Sequence, residues 1–130
     1  MTTTIPEGFL DLFRKPAFAS LATLLPDGSP LVTPVWVAYD GQYVTINTQR
    51  CLLKNRNIMA DPRVALTVYD PHDPYRFLAI RGRVIESTTD DADLDHENLI
   101  QRYLGRAFRW VSDDHIVHKI EVQHALGSKY

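Results

Sequence analysis

The sequence predicts a small, mainly β domain with flanking helices, built on a six-stranded antiparallel barrel. Short runs rich in β-branched and aromatic residues alternate with turn signals along the chain. Most consecutive runs are joined by connections too short for a crossover helix, so their strands pair antiparallel. A small sheet of this kind hides its edges most simply by closing on itself. The 130 residues are 45% hydrophobic and 23% charged, enough for one core. No linker, repeat or low-complexity segment divides them, so residues 1–130 read as a single domain.

The elements follow in order. Pro6 at a first helical position, with Phe9, Leu10, Leu12 and Phe13 behind it, predicts an opening amphipathic helix. Ala17 to Leu25 is a strand ended by the Pro26-Asp27-Gly28 turn, and Leu31 to Tyr39 is the second strand. Asp40-Gly41 is a two-residue hairpin signal, from which Gln42 to Thr48 returns as the third strand. There Val44, Ile46 and Thr48 share one face, and Tyr43, Thr45 and Asn47 the other. Leu53 to Ala60 is a short helix, stopped because Asp61 precedes Pro62 and is driven out of the helical region.

Arg63 to Tyr69 is the fourth strand, ended by Asp70-Pro71-His72-Asp73-Pro74, which predicts an irregular loop. Arg76 to Ser87 is a long fifth strand. Thr89, Asp90 and Asp91 cap a helix running to Leu104, with Gly105 as its left-handed terminator and an acidic first turn that suits the dipole. Ala107 to Trp110 carries no clear signal. Alternation of Ile116, Ile120 and Val122 marks the last strand.

Composition narrows the function. A net charge of -2 with interspersed signs gives no polybasic surface for nucleic acid or anionic lipid. No apolar run has the length of a membrane span, and Met1 to Pro6 lacks the pattern of a secretory signal, so a cytoplasmic location is expected. The single cysteine, Cys51, cannot form an internal disulfide and suits a reducing compartment, with burial as a small hydrophobe its expected role. No metal site is expected. His115 and His118 fall on opposite faces of a strand, and His72, His96 and His124 are scattered. No nucleophile or acid-base dyad stands out, as befits a redox enzyme whose cofactor carries the chemistry.

One region does point to chemistry. Pro34 cannot donate to a ladder, so its strand is an edge, a bulge, or open where another object approaches. Val35, Trp36 and Val37 beside it offer apolar surface for a flat ring, and the hairpin brings Asn47 and Thr48 alongside. Lys54 falls in the first turn of the short helix, where unpaired N–H groups and the dipole already favour an anion. Arg50 lies nearby. Read alone, Arg50 and Lys54 are equally consistent with ordinary exposed charges.

These residues carry a resemblance. The order Thr33-Pro-Val-Trp-Val-Ala-Tyr-Asp-Gly41, Asn47-Thr48, Lys54-Asn-Arg-Asn-Ile58, Asp61-Pro-Arg-Val-Ala-Leu66 and Ile80-Arg-Gly-Arg-Val84 resembles the split β-barrel flavin and deazaflavin oxidoreductases. That superfamily includes pyridoxamine 5'-phosphate oxidases and reductases that use coenzyme F-420. The resemblance covers roughly Leu10 to Gly105 and is strongest from Thr33 to Val84. It implies the FMN-binding split-barrel fold. It also implies that the hydroxyl residue ending the third strand and a lysine six positions later, here Thr48 and Lys54, hold a cofactor phosphate. Pyridoxamine phosphate oxidases usually carry an arginine just before that lysine, where this chain has Leu53. They also carry basic residues on the second strand, where this chain has Val32 and Val37. The departures favour the deazaflavin-dependent branch.

The resemblance therefore implies a cytoplasmic oxidoreductase that uses coenzyme F-420 to pass a hydride to a small conjugated organic acceptor. The alternatives are an FMN-binding pyridoxamine 5'-phosphate oxidase-like flavoprotein and a non-catalytic flavin or haem carrier. The expected cofactor-binding set is Pro34, Val35, Trp36, Asn47, Thr48, Arg50, Lys54, Arg76 and Phe77. Tyr69 is a candidate proton donor, and the catalytic residues are otherwise unassigned. Phe9, Phe13, Phe77 and Trp110 are more aromatic surface than one small barrel covers, and similar barrels build their sites between two subunits. A homodimer is expected, with Arg76 and Phe77 reaching the partner's cofactor.

Overall fold

The computed structural model describes residues 3–105 and 114–129. Strand alternation sets the core. Leu21 in β1 (Ala19–Leu24), Val44 and Ile46 in β4 (Val44–Gln49), and Val64, Leu66 and Val68 in β5 (Arg63–Asp70) all face inward. So do Leu78, Ile80 and Val84 in β6 (Asp73–Thr88) and Ile116, Ile120 and Val122 in β7 (His115–Lys129). Side chains of this kind contribute about 1.5–3 kcal/mol each on full burial, so the barrel interior carries most of the stability. Leu12 and Phe13 close the core from the opening segment, Glu7–Phe13, which is a 3₁₀ helix with Pro6 as its N-cap rather than its first residue.

All pairings are antiparallel, in the order β2-β1-β5-β6-β7-β4-β3. The expected second strand is two strands, β2 (Pro30–Val35) and β3 (Val37–Tyr39), so the sheet has seven strands rather than six. These two form the opposite edges of the sheet and only Trp36 separates them, so the chain itself draws the edges together there. The result is a half-barrel split at Trp36. Pro34 lies on edge strand β2, as its missing N–H requires.

Local chemistry explains the other departures. The β3–β4 turn centres on Gly41-Gln42, one residue later than the Asp40-Gly41 signal. Asp40 instead flanks it, its N–H donating to the Tyr43 carbonyl and its carboxylate accepting the Gln42 and Tyr43 N–H groups. Gly41, at φ 97°, takes the left-handed position such a turn demands. The expected loop after β5 is a tight turn, since Asp70 pairs with Asp73 and caps the His72 N–H at 2.9 Å. Helix α2 (Ala92–Leu104) starts without a side-chain cap from Asp91, which is itself left-handed; Thr88 Oγ1 accepts the Asp90 N–H instead. Helix α1 is Leu53–Ala60, as expected. At Gly82, where the β6–β7 register shifts, a Cβ would collide with the Glu121 carbonyl, so only glycine fits.

Candidate functional site

Where the sheet edges meet, the chain leaves a cavity of about 330 Å³. Pro34, Val35 and Trp36 form one wall, Asn47, Thr48 and Gln49 at the end of β4 another, and Leu52 and Lys54 the start of α1. Phe18, His96 and His115 complete it. Six of the nine expected cofactor-binding residues therefore converge on one cavity: Pro34, Val35, Trp36, Asn47, Thr48 and Lys54. Val37, one residue past the split, is fully buried in the core and offers no surface to a ligand.

The polar groups here are under-used. Lys54 is half-buried, its Nζ within 3.5 Å of the Pro34 carbonyl, and burial lowers its pKa. Among the described residues no carboxylate pairs with it. Thr48 is buried, and its Oγ1 has no partner; the same holds for Asn47 Oδ1 and His115 Nδ1. A buried polar atom without a partner is costly, so three around one cavity mark a place that a polar ligand would complete. An anionic group held by Lys54 and Thr48 fits this donor set. Asn47 is partly committed, since its Nδ2 donates to the Ala92 carbonyl at 2.8 Å and to Asp95 at 3.0 Å, which docks α2 on the sheet. Arg50 stands outside the cavity lining, with its Nε 2.7 Å from Asp114.

Rings pile up along the side wall. Tyr103 stacks on Trp36 with centroids 4.8 Å apart, Trp36 faces His96 at 6.1 Å, and His96 stacks on His115 at 4.1 Å. The Tyr103 hydroxyl donates to the Ala17 carbonyl at 2.6 Å and accepts the Val37 N–H at 3.1 Å, and burial raises its pKa. Burial, with the neighbouring His115, lowers the pKa of His96. Sequence reasoning missed Phe18, Gln49, His96, Tyr103 and His115. His96 and Tyr103 are seven apart on α2 and so share a helix face, a legible signal. The register that sets His115 opposite Gln49 left none.

Other expected residues lie elsewhere. The Arg76 guanidinium is bound to Asp11, Asp70 and the Gly8 carbonyl and covers the Phe9 ring; Phe77 is its half-buried neighbour, and neither lines this cavity. Tyr69 lines a separate groove of about 780 Å³ on the outer sheet face, its hydroxyl 3.2 Å from Ser20 Oγ. Arg56 is exposed and borders a third depression. Cys51 is exposed, contrary to its expected burial, because it sits in the turn before α1. Phe13 is buried and Phe9 half-buried, so the exposed apolar surface is carried instead by Phe18, Val32, Tyr75 and Leu126 among others; Ala107 to Trp110 lie outside the described residues. Among the described residues no three metal-ligating side chains cluster, and no helix is long and apolar enough to cross a membrane.

Comparison with known proteins places this geometry. The family model for pyridoxamine 5'-phosphate oxidase matches residues 5–127. Among solved structures, an F420 reductase is 34% identical with a TM-score of 0.84, over 94% of this chain and 98% of that one. A conserved hypothetical protein of Mycobacterium tuberculosis is 21% identical with a TM-score of 0.77, over 98% and 86%. A Listeria innocua protein provisionally described as a pyridoxamine 5'-phosphate oxidase is 19% identical with a TM-score of 0.69, over 92% of each chain. The latter two likenesses bear on the fold alone. No curated protein matches the chain.

Proposed function

The chain belongs to the pyridoxamine 5'-phosphate oxidase family, and from that premise we propose that it is a cytoplasmic oxidoreductase using coenzyme F-420 to reduce a small conjugated organic acceptor. The observation that carries the reading is the convergence on one cavity of a half-buried lysine without a carboxylate, a buried threonine hydroxyl without a partner, and the planar wall at Trp36. Thr48 and Lys54 hold the cofactor phosphate. Pro34, Val35 and Trp36 line its ring, with Asn47 beside them and Arg50 at the rim. When bound, the deazaflavin supplies the hydride. The protein binds and orients it and excludes water.

Likeness to an F420 reductase supports the deazaflavin over flavin mononucleotide. So does the site's openness: Leu52 and Leu53 are exposed between the basic residues, and Arg56 faces away, leaving an open mouth rather than a densely basic cup. A mouth of this kind accommodates the acidic tail of coenzyme F-420. The active unit is a homodimer. A cavity of about 330 Å³ sits at the low end for a cofactor site, and exposed Val32, Tyr69 and Leu126 border the outer groove that a second copy would cover. Arg76 and Phe77 belong to this part of the proposal, as contacts to the partner's site.

Fluorescence titration tests the cofactor. Tighter binding of coenzyme F-420 than of flavin mononucleotide is expected, weakening as salt screens Lys54 and Arg50. A protein that purifies with stoichiometric flavin mononucleotide and ignores the deazaflavin overturns that choice. Multiple turnovers with reduced cofactor are expected; stoichiometric binding without turnover would make the protein a carrier. A monomer by light scattering at micromolar concentration would overturn the dimer.

A further inference from the structure

Helix α1, which carries Lys54, is fastened to the barrel largely by polar contacts. Its buried residues are Asn55, Asn57 and Ile58, and Asn57 Nδ2 donates to buried Thr23 Oγ1 of β1 at 3.1 Å. Asn55 anchors a longer chain. Its Nδ2 donates to the Arg50 carbonyl at 3.0 Å, so its Oδ1 is the atom that meets His118 Nε2, also at 3.0 Å. That fixes the imidazole tautomer. Nε2 carries the proton, and Nδ1 accepts from the Ser87 hydroxyl at 2.7 Å. Donors and acceptors alternate without conflict from β6 through β7 to the turn preceding α1.

His118 is fully buried, in a strand face shared with Ile116 and Ile120. An apolar side chain would satisfy the core at that position, so packing does not explain an imidazole. Its two nitrogens explain it, because they join β6 to α1 through the interior. We propose that His118 is a positioning residue of the anion site: the Ser87–His118–Asn55 chain fixes the Arg50 carbonyl and the first turn of α1, and so aims Lys54 at the cavity. This deepens the cofactor reading and rests on it.

The test is a double-mutant cycle read by cofactor affinity, with coenzyme F-420 and flavin mononucleotide titrated in parallel into wild type, K54A, H118L, K54A/H118L and H118Q. H118L is expected to bind about tenfold more weakly than wild type, and H118Q, whose amide both donates and accepts, to return within about threefold of it. The double variant is expected to bind within about twofold of K54A alone, since a lysine that is absent cannot be misplaced. Equal weakening by H118L with and without Lys54 would mark a purely structural residue and overturn the proposal. So would H118L binding like wild type. Should H118L fail to fold, Ser87→Ala probes the same chain from its far end, with binding about threefold weaker when Lys54 is present and unchanged in K54A. No effect in either background overturns the proposal. Wild type that binds neither cofactor overturns the cofactor reading as well, whereas wild-type binding indifferent to H118L and S87A removes this inference alone.

Discussion

Two cationic regions of this barrel differ in how their charge is answered. Around Arg76 every charge has a counterpart. Its guanidinium reaches Asp11 at 2.7 Å and Asp70 at 2.9 Å, and Lys15 reaches the same two carboxylates at 3.1 and 3.6 Å. The Arg76 hydrogen bond holds the Asp11 carboxyl far below the usual range, and Asp11 in return raises the guanidinium. Lys54 has a backbone carbonyl at 3.5 Å and no carboxylate, and burial disfavours its charge. A satisfied cation stabilises the chain that contains it. A half-buried cation left without a counter-ion costs stability unless a ligand supplies the missing charge, and that contrast separates structural from ligand-binding basic residues better than exposure does.

Breaking the satisfied cluster should give the largest effect on the free protein. Arg76→Ala strands Asp70, whose side chain is 8% exposed, and is expected to cost about 3 kcal/mol in urea unfolding. Cofactor affinity measured on the folded fraction should stay within about twofold of wild type. A larger loss of affinity than of stability would return Arg76 to the site.

Acid should divide the molecule further. Burial lowers the His118 pKa to about 4, below its usual 6.5, so the unfolded chain binds the extra proton between those values. Stability from this group is complete above about pH 6.5 and is lost as pH falls to about 4, on the order of 3 kcal/mol in all. His96, lowered by burial, acts in the same direction. Asp11 and Asp70 are lowered instead, so their contribution is complete above their ordinary pKa of 3.8 and is lost only below it. Urea unfolding against pH should show two limbs: H118Q should flatten the upper one and Arg76→Ala the lower. A single limb unaffected by either variant would contradict the assignment.

Smaller effects sharpen the picture near the cavity. Tyr103→Phe removes the acceptor of the buried Val37 N–H and should cost about 1–2 kcal/mol of stability by thermal unfolding, loosening α2 over the site. Arg50→Ala breaks a half-exposed pair with Asp114 and should change stability by at most about 1 kcal/mol, with a cofactor affinity loss smaller than that of Lys54→Ala.

The barrel was legible in the sequence because its signals are local. Alternation in β4 and β5, the Asp61-Pro62 stop and the Gly105 terminator depend on neighbours within a few residues. The split at Trp36 was not legible. Val35 and Val37 are both buried, so the period of two runs unbroken through the bend, and only the meeting of two sheet edges shows that the chain turns there. The site was half legible for the same reason. Thr48 and Lys54 fall within one strand-to-helix connection, whereas the His96–His115 stack and the Asn55–His118 bond join residues whose adjacency depends on how α2 and α1 dock. Nor does spacing distinguish Arg76 from Lys54, since only the folded chain shows which cation already has its carboxylates.

The claim that Lys54 awaits an anionic cofactor is tested most directly by calorimetric titration of coenzyme F-420 into wild type and Lys54→Ala, with the thermal stability of both cofactor-free proteins measured alongside. Affinity should fall by about 1–3 kcal/mol in the variant, and the wild-type advantage should shrink at high salt. Cofactor-free stability should be unchanged or slightly higher in Lys54→Ala, because a half-buried cation without a carboxylate has been removed. Equal affinities for wild type and variant would contradict the account and move the cofactor away from this cavity.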